Sequence, residues 1–404
     1  MSLLASAACL SFAAWIYLTF LHGRFWCGDQ RLEGTTDPAP SAWPHVIAVV
    51  PARNEVEVIE RSIGSLLQQD YPGRLSVVLA DDESTDDTAA RARAVAERLD
   101  AADRLQIVPT PPRPAGWVGK MWAVETGVRA AAERDAEAAW LLLTDADIEH
   151  SPGNLTRLVA RGEARGLALV SLMVRLEAEH GAGRLLIPAF VYFFQKLYPF
   201  PKVNDPRSRV AGAAGGCMLV RRAALDAAGG VEPLRGEIID DCAFGRALKG
   251  QGPIWLGLTE SEQSVRAYMG LSEVWQMVAR SAFTQLQYSW LLLAGTLLGL
   301  GLLYVVPPLA ALAGLVQGDP AAALGGMAAW ALQAATFLPT LALYGRSPWL
   351  APALPVAGVL YAAMTFDSAR QHARGQGARW KGRVGASDQA GETPVGLPPG
   401  RGPN

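Results

Sequence analysis

Residues Ala138–Asp147 read AAWLLLTDAD, an apolar run that stops at two carboxylates. So short a run, rich in large apolar side chains, predicts a buried strand over Ala138–Thr144 rather than a helix. The same pattern recurs upstream. Val46–Val50 (VIAVV) is a β-branched run ended by Pro51, Leu75–Ala80 ends at Asp81-Asp82, and Leu105–Val108 is a third such stretch. Between these runs the period changes. Glu55–Gln69 carries Val58, Ile59, Ile63, Leu66 and Leu67 at helical spacing, and Asp86–Leu99 and Met121–Ala132 read as further helices. Ser84 and Thr85 are placed to cap the Asp86–Leu99 helix, whose first turn is acidic. Strands alternating with helices predict an α/β domain, Rossmann-like, with a mainly parallel sheet and right-handed crossovers. In such sheets ligands bind at the carboxyl ends of the strands. Arg53-Asn54-Glu55, Asp81-Asp82 and Asp145-Ala146-Asp147 all fall at such ends.

The 404 residues carry a net charge of −2, which excludes a strong field for nucleic acid. Charge is unevenly spread along the chain. Leu3–Leu21 has no charged residue, and Ser289–Phe366 has very few. A bilayer core is crossed by roughly 20 apolar residues, so Leu3–Leu21 reads as a transmembrane anchor. No basic region precedes it, as a cleaved signal peptide would require. Arg24 and Arg31 follow it and place the next domain on the cytoplasmic side. Three apolar blocks lie near the other end, about Ser289–Val316, Ala321–Leu343 and Leu350–Phe366. Pro307-Pro308 makes the first either one kinked helix or a broken pair. Three crossings would put the basic residues Arg370, Arg374, Arg379, Lys381 and Arg383 outside the cytoplasm, against the positive-inside rule. An even number, with the Pro-Pro block split or re-entrant, removes the conflict. The expected organisation is an anchor over residues 1–23, a cytoplasmic domain over 40–285, transmembrane helices over 286–368 and a basic, disordered tail over 369–404. This describes a multi-pass protein of the inner membrane. Cys9, Cys27, Cys217 and Cys242 are scattered and the five histidines dispersed, so neither a disulfide framework nor a zinc site is expected.

Asp145 and Asp147 form a D-x-D at a strand end. In extended backbone, residues two apart face one side, so both carboxylates can reach one Mg²⁺ or Mn²⁺ and its diphosphate ligand. By itself D-x-D is usually a turn or a cap; the strand-end position and the upstream acid pair give it weight. Asp81-Asp82 reads either as an Asx turn or as an acceptor for a base or ribose, and Asp86 and Asp87 as first-turn helix charges. Gly212–Gly216 runs into a buried strand at Cys217–Val220, and its small residues let backbone approach a ligand closely. Cys217 reads as a core residue. Asp240-Asp241 is either a solvated helix start or a catalytic acid pair. The aromatic run Phe190, Tyr192, Phe193, Phe194, Tyr198 and Phe200, flanked by Lys196 and Lys202, is either a buried core helix or a helix at the lipid–water interface.

VVPARNE, ADDESTDDT, GWVGK, TDAD, GGCMLVRR and DDCAFGRAL occur in that order between about Ile47 and Arg280. This ordered set resembles the family 2 glycosyltransferases, which have the GT-A fold. PAFVYFFQKLYPF (188–200) and MVARSAFTQL (277–286) resemble the hopanoid-biosynthesis-associated branch of that family. The resemblance implies a nucleoside-diphosphate sugar donor, bound by Asp81 or Asp82 with Arg53 and Glu55 nearby. It makes Asp145 and Asp147 the holders of Mg²⁺ or Mn²⁺ and of the diphosphate, with Lys120 of the GWVGK loop beside the donor. Lys120 is not followed by Ser or Thr, so this loop is no Walker P-loop. Asp241 is implied as the general base, with Asp240, Gly215 and Gly216 in the acceptor region. Processive members carry Q-x-x-R-W before the membrane. Here the stretch reads Gln276-Met277-Val278-Ala279-Arg280-Ser281, which keeps an arginine for the diphosphate but lacks the Trp. The resulting expectation is an inverting, single-sugar transfer to a lipid acceptor, a hopanoid or related lipid. Its rivals are a processive polysaccharide synthase, a nucleotidyltransferase of similar sheet and a non-enzymatic membrane scaffold.

Overall fold

The computed structural model describes residues 2–375 apart from Thr35 and Met269, together with the backbone of Arg379–Trp380 and Arg383–Val384. Lys381 and the expected disordered end lie outside the described residues. Eight strands form one sheet: β1 (Val46–Ala52), β2 (Leu75–Asp81), β3 (Leu105–Pro109), β4 (Trp140–Thr144), β5 (Ile148–Glu149), β6 (Leu169–Arg175), β7 (Cys217–Arg221) and β8 (Ile254–Ser264). Their order is β3-β2-β1-β4-β7-β6-β8-β5. The first four are parallel, as their alternation with helices predicts. The sheet as a whole is mixed rather than mainly parallel, because β7 runs antiparallel to both β4 and β6 and β5 antiparallel to β8.

These reversals build the site. Val49 pairs with Leu143 and Ala52 with Asp81, so the carboxyl ends of β1, β2 and β4 open at one edge. Antiparallel β7 starts where β4 ends, with Cys217 opposite Thr144, which delivers Gly215 and Gly216 to that edge. The pairing of Ile148 with Ser264 brings the end of β8 beside Asp147.

Strand residues alternate between two cores, as the pleat requires. Ile47, Val49, Leu141 and Leu143 face one side, and Val46, Ala48, Val50, Trp140 and Leu142 the other. Full burial of a Val or Leu side chain contributes about 1.5–3 kcal/mol, so these central strands anchor both layers. The helices Ile59–Leu67, Thr88–Arg98 and Asn154–Ala164 cover the second face, and Gly119–Arg134 covers the first together with the apolar helices. The expected caps differ: Ser84 Oγ accepts from Asn54 N–H, Asn54 Oδ1 takes the Thr85 N–H, and Asp86 accepts from Thr88 N–H at the helix start. Asn54 and Glu83 hold positive φ, so these loops are set by their own exchange of side-chain bonds.

Among the described residues, four segments are long and apolar enough to cross a membrane: Leu3–Leu21, Trp290–Gln317, Pro320–Leu343 and Pro348–Ala373. The Pro-Pro block is one helix, continuous through a π-turn at Gly301–Val305. Pro307 has no N–H for the Leu303 carbonyl. That carbonyl instead accepts from Trp15 Nε1 at 2.9 Å and Gln333 Nε2 at 3.2 Å, on two neighbouring helices. Ser11 Oγ donates to the Leu302 carbonyl at 2.8 Å. The proline pair thus fixes a three-helix junction instead of breaking the helix. Ser2 bonds Asp319, so the first helix begins at the far end, beside the turn between the second and third. Gly326 packs on the backbone of Pro307 and Ala311, where a Cβ has no room. Gly326→Leu is expected to destabilise the bundle by about 1–3 kcal/mol, read as earlier thermal loss of the monodisperse peak in detergent.

The last apolar block turns back, and not the Pro-Pro block. After Arg346, which bonds the Ala178 carbonyl of the α/β domain at 2.8 Å, Pro348–Ala353 runs up the third helix to Trp330, whose indole donates to the Pro352 carbonyl at 3.0 Å. Leu354–Ala373 then descends: Gly358 abuts Tyr304, Ser368 Oγ accepts from Phe283 N–H, and His372 stacks on Tyr288. Both ends of the block thus lie on the side of the α/β domain.

Most of the aromatic run lies in the helix Gly183–Leu197, with Tyr198 at its C-cap and Phe200 opening the next helix, and the run is largely buried against the apolar helices. Tyr192 and Phe193 are buried, Tyr192 bonds Thr336 at 2.8 Å, and Tyr361 donates to the Leu186 carbonyl at 3.0 Å. Lys196 does not reach for solvent; its ammonium donates to the Tyr304 hydroxyl at 2.8 Å and lies over the Phe193 ring. Burial pushes its pKa down to about 7.

Candidate active site

Lys120, in the first turn of Gly119–Arg134, is the hub of the site. Its ammonium lies 2.8 Å from Asp145 Oδ1 and 3.1 Å from Asp240 Oδ2, joining the end of β4 to the start of the Asp240–Lys249 helix. Burial works against the lysine charge, but Asp145 and Asp240 more than offset it and hold its pKa above the usual range. Burial raises the Asp145 pKa, with Lys120 opposing.

Asp147 has different partners. The chain turns at Ala146, with Ile148 N–H on the Asp145 carbonyl, so the same-side argument from extended backbone does not apply. Asp147 Oδ2 accepts from Ser264 Oγ at 2.9 Å and from Arg266 Nε at 3.1 Å. Arg266 Nη2 also donates to Glu55 Oε2 at 2.7 Å. One guanidinium therefore joins the ends of β1 and β4. Burial lowers the Arg266 pKa, and Glu55 and Asp147 outweigh it to keep the group charged. Sequence reasoning missed Arg266: it follows β8 in the coil Val265–Tyr268 and belongs to no motif. Only the β5–β8 pairing carries it to Asp147.

Asp241 stands at the N-terminus of its helix, where negative charge is favoured. Its Oδ2 accepts from Gly215 N–H at 3.1 Å and its Oδ1 from Cys242 N–H at 2.7 Å. A Cβ on Gly215 would lie 3.5 Å from both Asp241 Cβ and Lys120 Nζ, so the loop passes between base candidate and lysine. Thr144 Oγ1 donates to the Gly216 carbonyl at 2.7 Å, and Ser171 Oγ accepts from Ala214 N–H at 2.9 Å. Burial and then neighbouring Asp240 raise the Asp241 pKa to about 6, against the opposing pull of Lys120 and the two N–H groups. The group is thus a carboxylate at neutral pH but a stronger base than an exposed aspartate.

At the β2 end, Asp82 is buried and accepts from Thr110 Oγ1 at 3.1 Å and from Arg53, which also donates to its carbonyl. Asp81 remains half-exposed, its Oδ1 taking the Ser84 N–H at 3.2 Å. Arg280 lies at the exposed end of Leu271–Ala279, and the half-buried Tyr268 phenol feels both it and Asp147. Cys217 is a buried core residue. The sequence-predicted residues thus gather at one edge of the sheet, with Arg280 at the rim.

Among the described residues no three ligating side chains cluster as a ready metal site. Asp145 and Asp147 nonetheless fit a hard divalent cation of the kind that one or two carboxylates hold together with phosphate oxygens.

A mixed sheet with acid pairs at its strand ends, next to apolar helices, is a GT-A-like arrangement. The mannosyltransferase PcManGT of Pyrobaculum calidifontis, solved with GDP-Man and Mn²⁺, shares the fold: 20% identity, 90% of this chain and 99% of that one covered, TM-score 0.51. Glucosyl-3-phosphoglycerate synthase of Mycobacterium tuberculosis is similar over 63% of this chain and 84% of its own, with 21% identity and TM-score 0.38. TarS 1–349 of S. aureus, solved with UDP-GlcNAc, is similar over 84% and 95%, with 16% identity and TM-score 0.38. No curated protein matches the chain by sequence. Residues 47–229 match the family described as Glycosyl transferase family 2. With this match and this fold, the protein is a glycosyltransferase.

Proposed function

We propose that the protein moves one sugar from a nucleoside-diphosphate sugar to the hydroxyl of a membrane lipid, with inversion, and that a hopanoid or related lipid is the acceptor. One observation carries the lipid reading: a single side chain reaches from beside the base toward the start of the apolar bundle. The Tyr198 ring packs on Gly212, its hydroxyl lies beside Cys242 and within the field of Asp241, and it donates to Gln285 at 3.0 Å. Gln285 stands just before the helix that starts at Trp290. An acceptor hydroxyl at Asp241 therefore meets the protein where it enters the bilayer.

In this reading half-exposed Asp81 accepts from the nucleobase or ribose, and Arg53, pinned on Asp82, lines the same end. Asp145 and Asp147 would hold Mg²⁺ or Mn²⁺, which supplies charge neutralisation for the departing diphosphate. Lys120 adds a second positive charge there, and Arg280 a third from the rim. Asp241 takes the proton of the acceptor hydroxyl as its oxygen attacks the anomeric carbon from the face opposite the leaving group. Because burial raises its pKa to about 6, Asp241 gains a proton as pH falls. The kcat–pH profile is expected to be flat above neutrality and to fall through about 6, provided chemistry limits the rate. A profile flat down to pH 5 would remove Asp241 from this role.

Three helices cross the bilayer in this account, and the fourth segment is a re-entrant hairpin. Arg31, Arg346 and Arg370 then lie on the same side as the catalytic domain, which by the positive-inside rule is the cytoplasm. Trp290 and Trp349, the latter 88% exposed, would sit in the interfacial belt on that side. A C-terminal green fluorescent protein fusion is expected to fluoresce and a C-terminal alkaline phosphatase fusion to be inactive; the reverse pattern would count against the hairpin. The acceptor is tested by lipid mass spectrometry on membranes with and without the protein. A lipid heavier by one sugar supports the reading. Chains of many sugars would support a polymer synthase instead.

A further inference from the structure

Both carboxylates of the D-x-D are already neutralised by cations of the protein itself: Lys120 on Asp145 and Arg266 on Asp147. Arg266 is the more consequential. Its planar guanidinium bonds two carboxylates from different strands, Nε to Asp147 at 3.1 Å and Nη2 to Glu55 at 2.7 Å. It lies in the coil after β8, so changing partner requires only side-chain and coil movement. Asp147 Oδ2 receives Ser264 Oγ as well as Arg266. A bare divalent cation on Asp147 would stand against that guanidinium, like charge against like. A diphosphate reverses the balance, because its oxygens match the same fork of donors.

We infer that Arg266 is a latch on the donor site: it holds Asp147 and Glu55 together until cation and diphosphate arrive as a pair, then turns its guanidinium to the diphosphate. Arg266 is a positioning residue that makes cation and nucleotide bind with positive coupling and keeps the site from filling with metal alone. This rests on the nucleotide-sugar reading above.

The test is Mn²⁺ binding to the full-length protein in detergent, followed by the electron paramagnetic resonance signal of free Mn²⁺, alone and with UDP or GDP. Wild type is expected to bind Mn²⁺ about tenfold more tightly with the matching nucleotide than without, within the usual range of coupling. Arg266→Gln is expected to bind Mn²⁺ alone about tenfold more tightly than wild type and to lose most of the coupling. Arg266→Lys, which keeps the charge but not the fork, is expected between the two and serves if the glutamine variant does not fold. Mn²⁺ affinity without nucleotide at or below the wild-type value in the variant overturns the latch while leaving the donor site intact. Failure of both UDP and GDP to bind wild type with Mn²⁺ overturns the nucleotide-sugar reading itself.

Discussion

Asp241→Asn is expected to lower kcat for sugar transfer by about 10²–10⁴-fold, the range for loss of a general base. Nucleotide binding should stay near wild type, while thermal stability should fall by about 1–3 kcal/mol for the one N–H left without an acceptor. Asparagine keeps the size of the side chain, but its single carbonyl oxygen can accept from only one of the two N–H groups that Asp241 bonds, Gly215 at 3.1 Å and Cys242 at 2.7 Å. It cannot take a proton. The lysine hub is untouched, since Lys120 pairs with Asp145 and Asp240 rather than with Asp241. Nucleotide-dependent stabilisation measured alongside turnover separates the two effects. Full activity in the variant would mean that another group accepts the proton, and loss of nucleotide binding would mean that Asp241 holds the loop rather than the chemistry.

The second large effect is at the other end of the site. Asp147→Asn is expected to cost about 10²–10³-fold in kcat/KM, the scale for losing one preorganised electrostatic group at a transition state. Added Mn²⁺ should recover part of it and higher pH none. The substitution also frees Arg266 from one of its two carboxylates, leaving Glu55. Its signature therefore differs from that of Asp241→Asn: donor affinity and metal dependence change together. A variant with unchanged metal dependence would take Asp147 out of the cation site.

Local pattern made the first half of the sheet legible. β1, β2 and β4 are mostly apolar runs followed by charged residues, and their helices carry the 3.6-residue period, so strand ends and acid pairs could be placed together, although β1 continues through Pro51 to Ala52. Non-local pairing was not legible. Cys217–Val220 reads as a buried strand, but nothing in it states that it runs antiparallel to β4, and that reversal is what sets Gly215 against Asp241. Arg266 is invisible for the same reason, since only the pairing of Ile148 with Ser264 brings it to Asp147. The aromatic helix was ambiguous because a helix facing lipid and one packed against apolar helices need the same side chains; contacts with Thr336 and Tyr361 decide it. The apolar blocks were recognised by composition, but depth is not written in composition. Pro307-Pro308 left one kinked helix and a broken pair both open; the helix is continuous, and the freed Leu303 carbonyl finds donors on neighbouring helices.

We propose that this site delivers one sugar to a lipid with Asp241 as base. The most direct measurement uses the purified protein in lipid nanodiscs with Mn²⁺ and a panel of labelled nucleoside-diphosphate sugars, beside Asp241→Asn. One donor is expected to pass its label into an organic-extractable lipid, with nucleoside diphosphate released in equal amount, and the variant is expected to make no such transfer. Label accumulating in a water-soluble polymer, or equal transfer by both proteins, would contradict it.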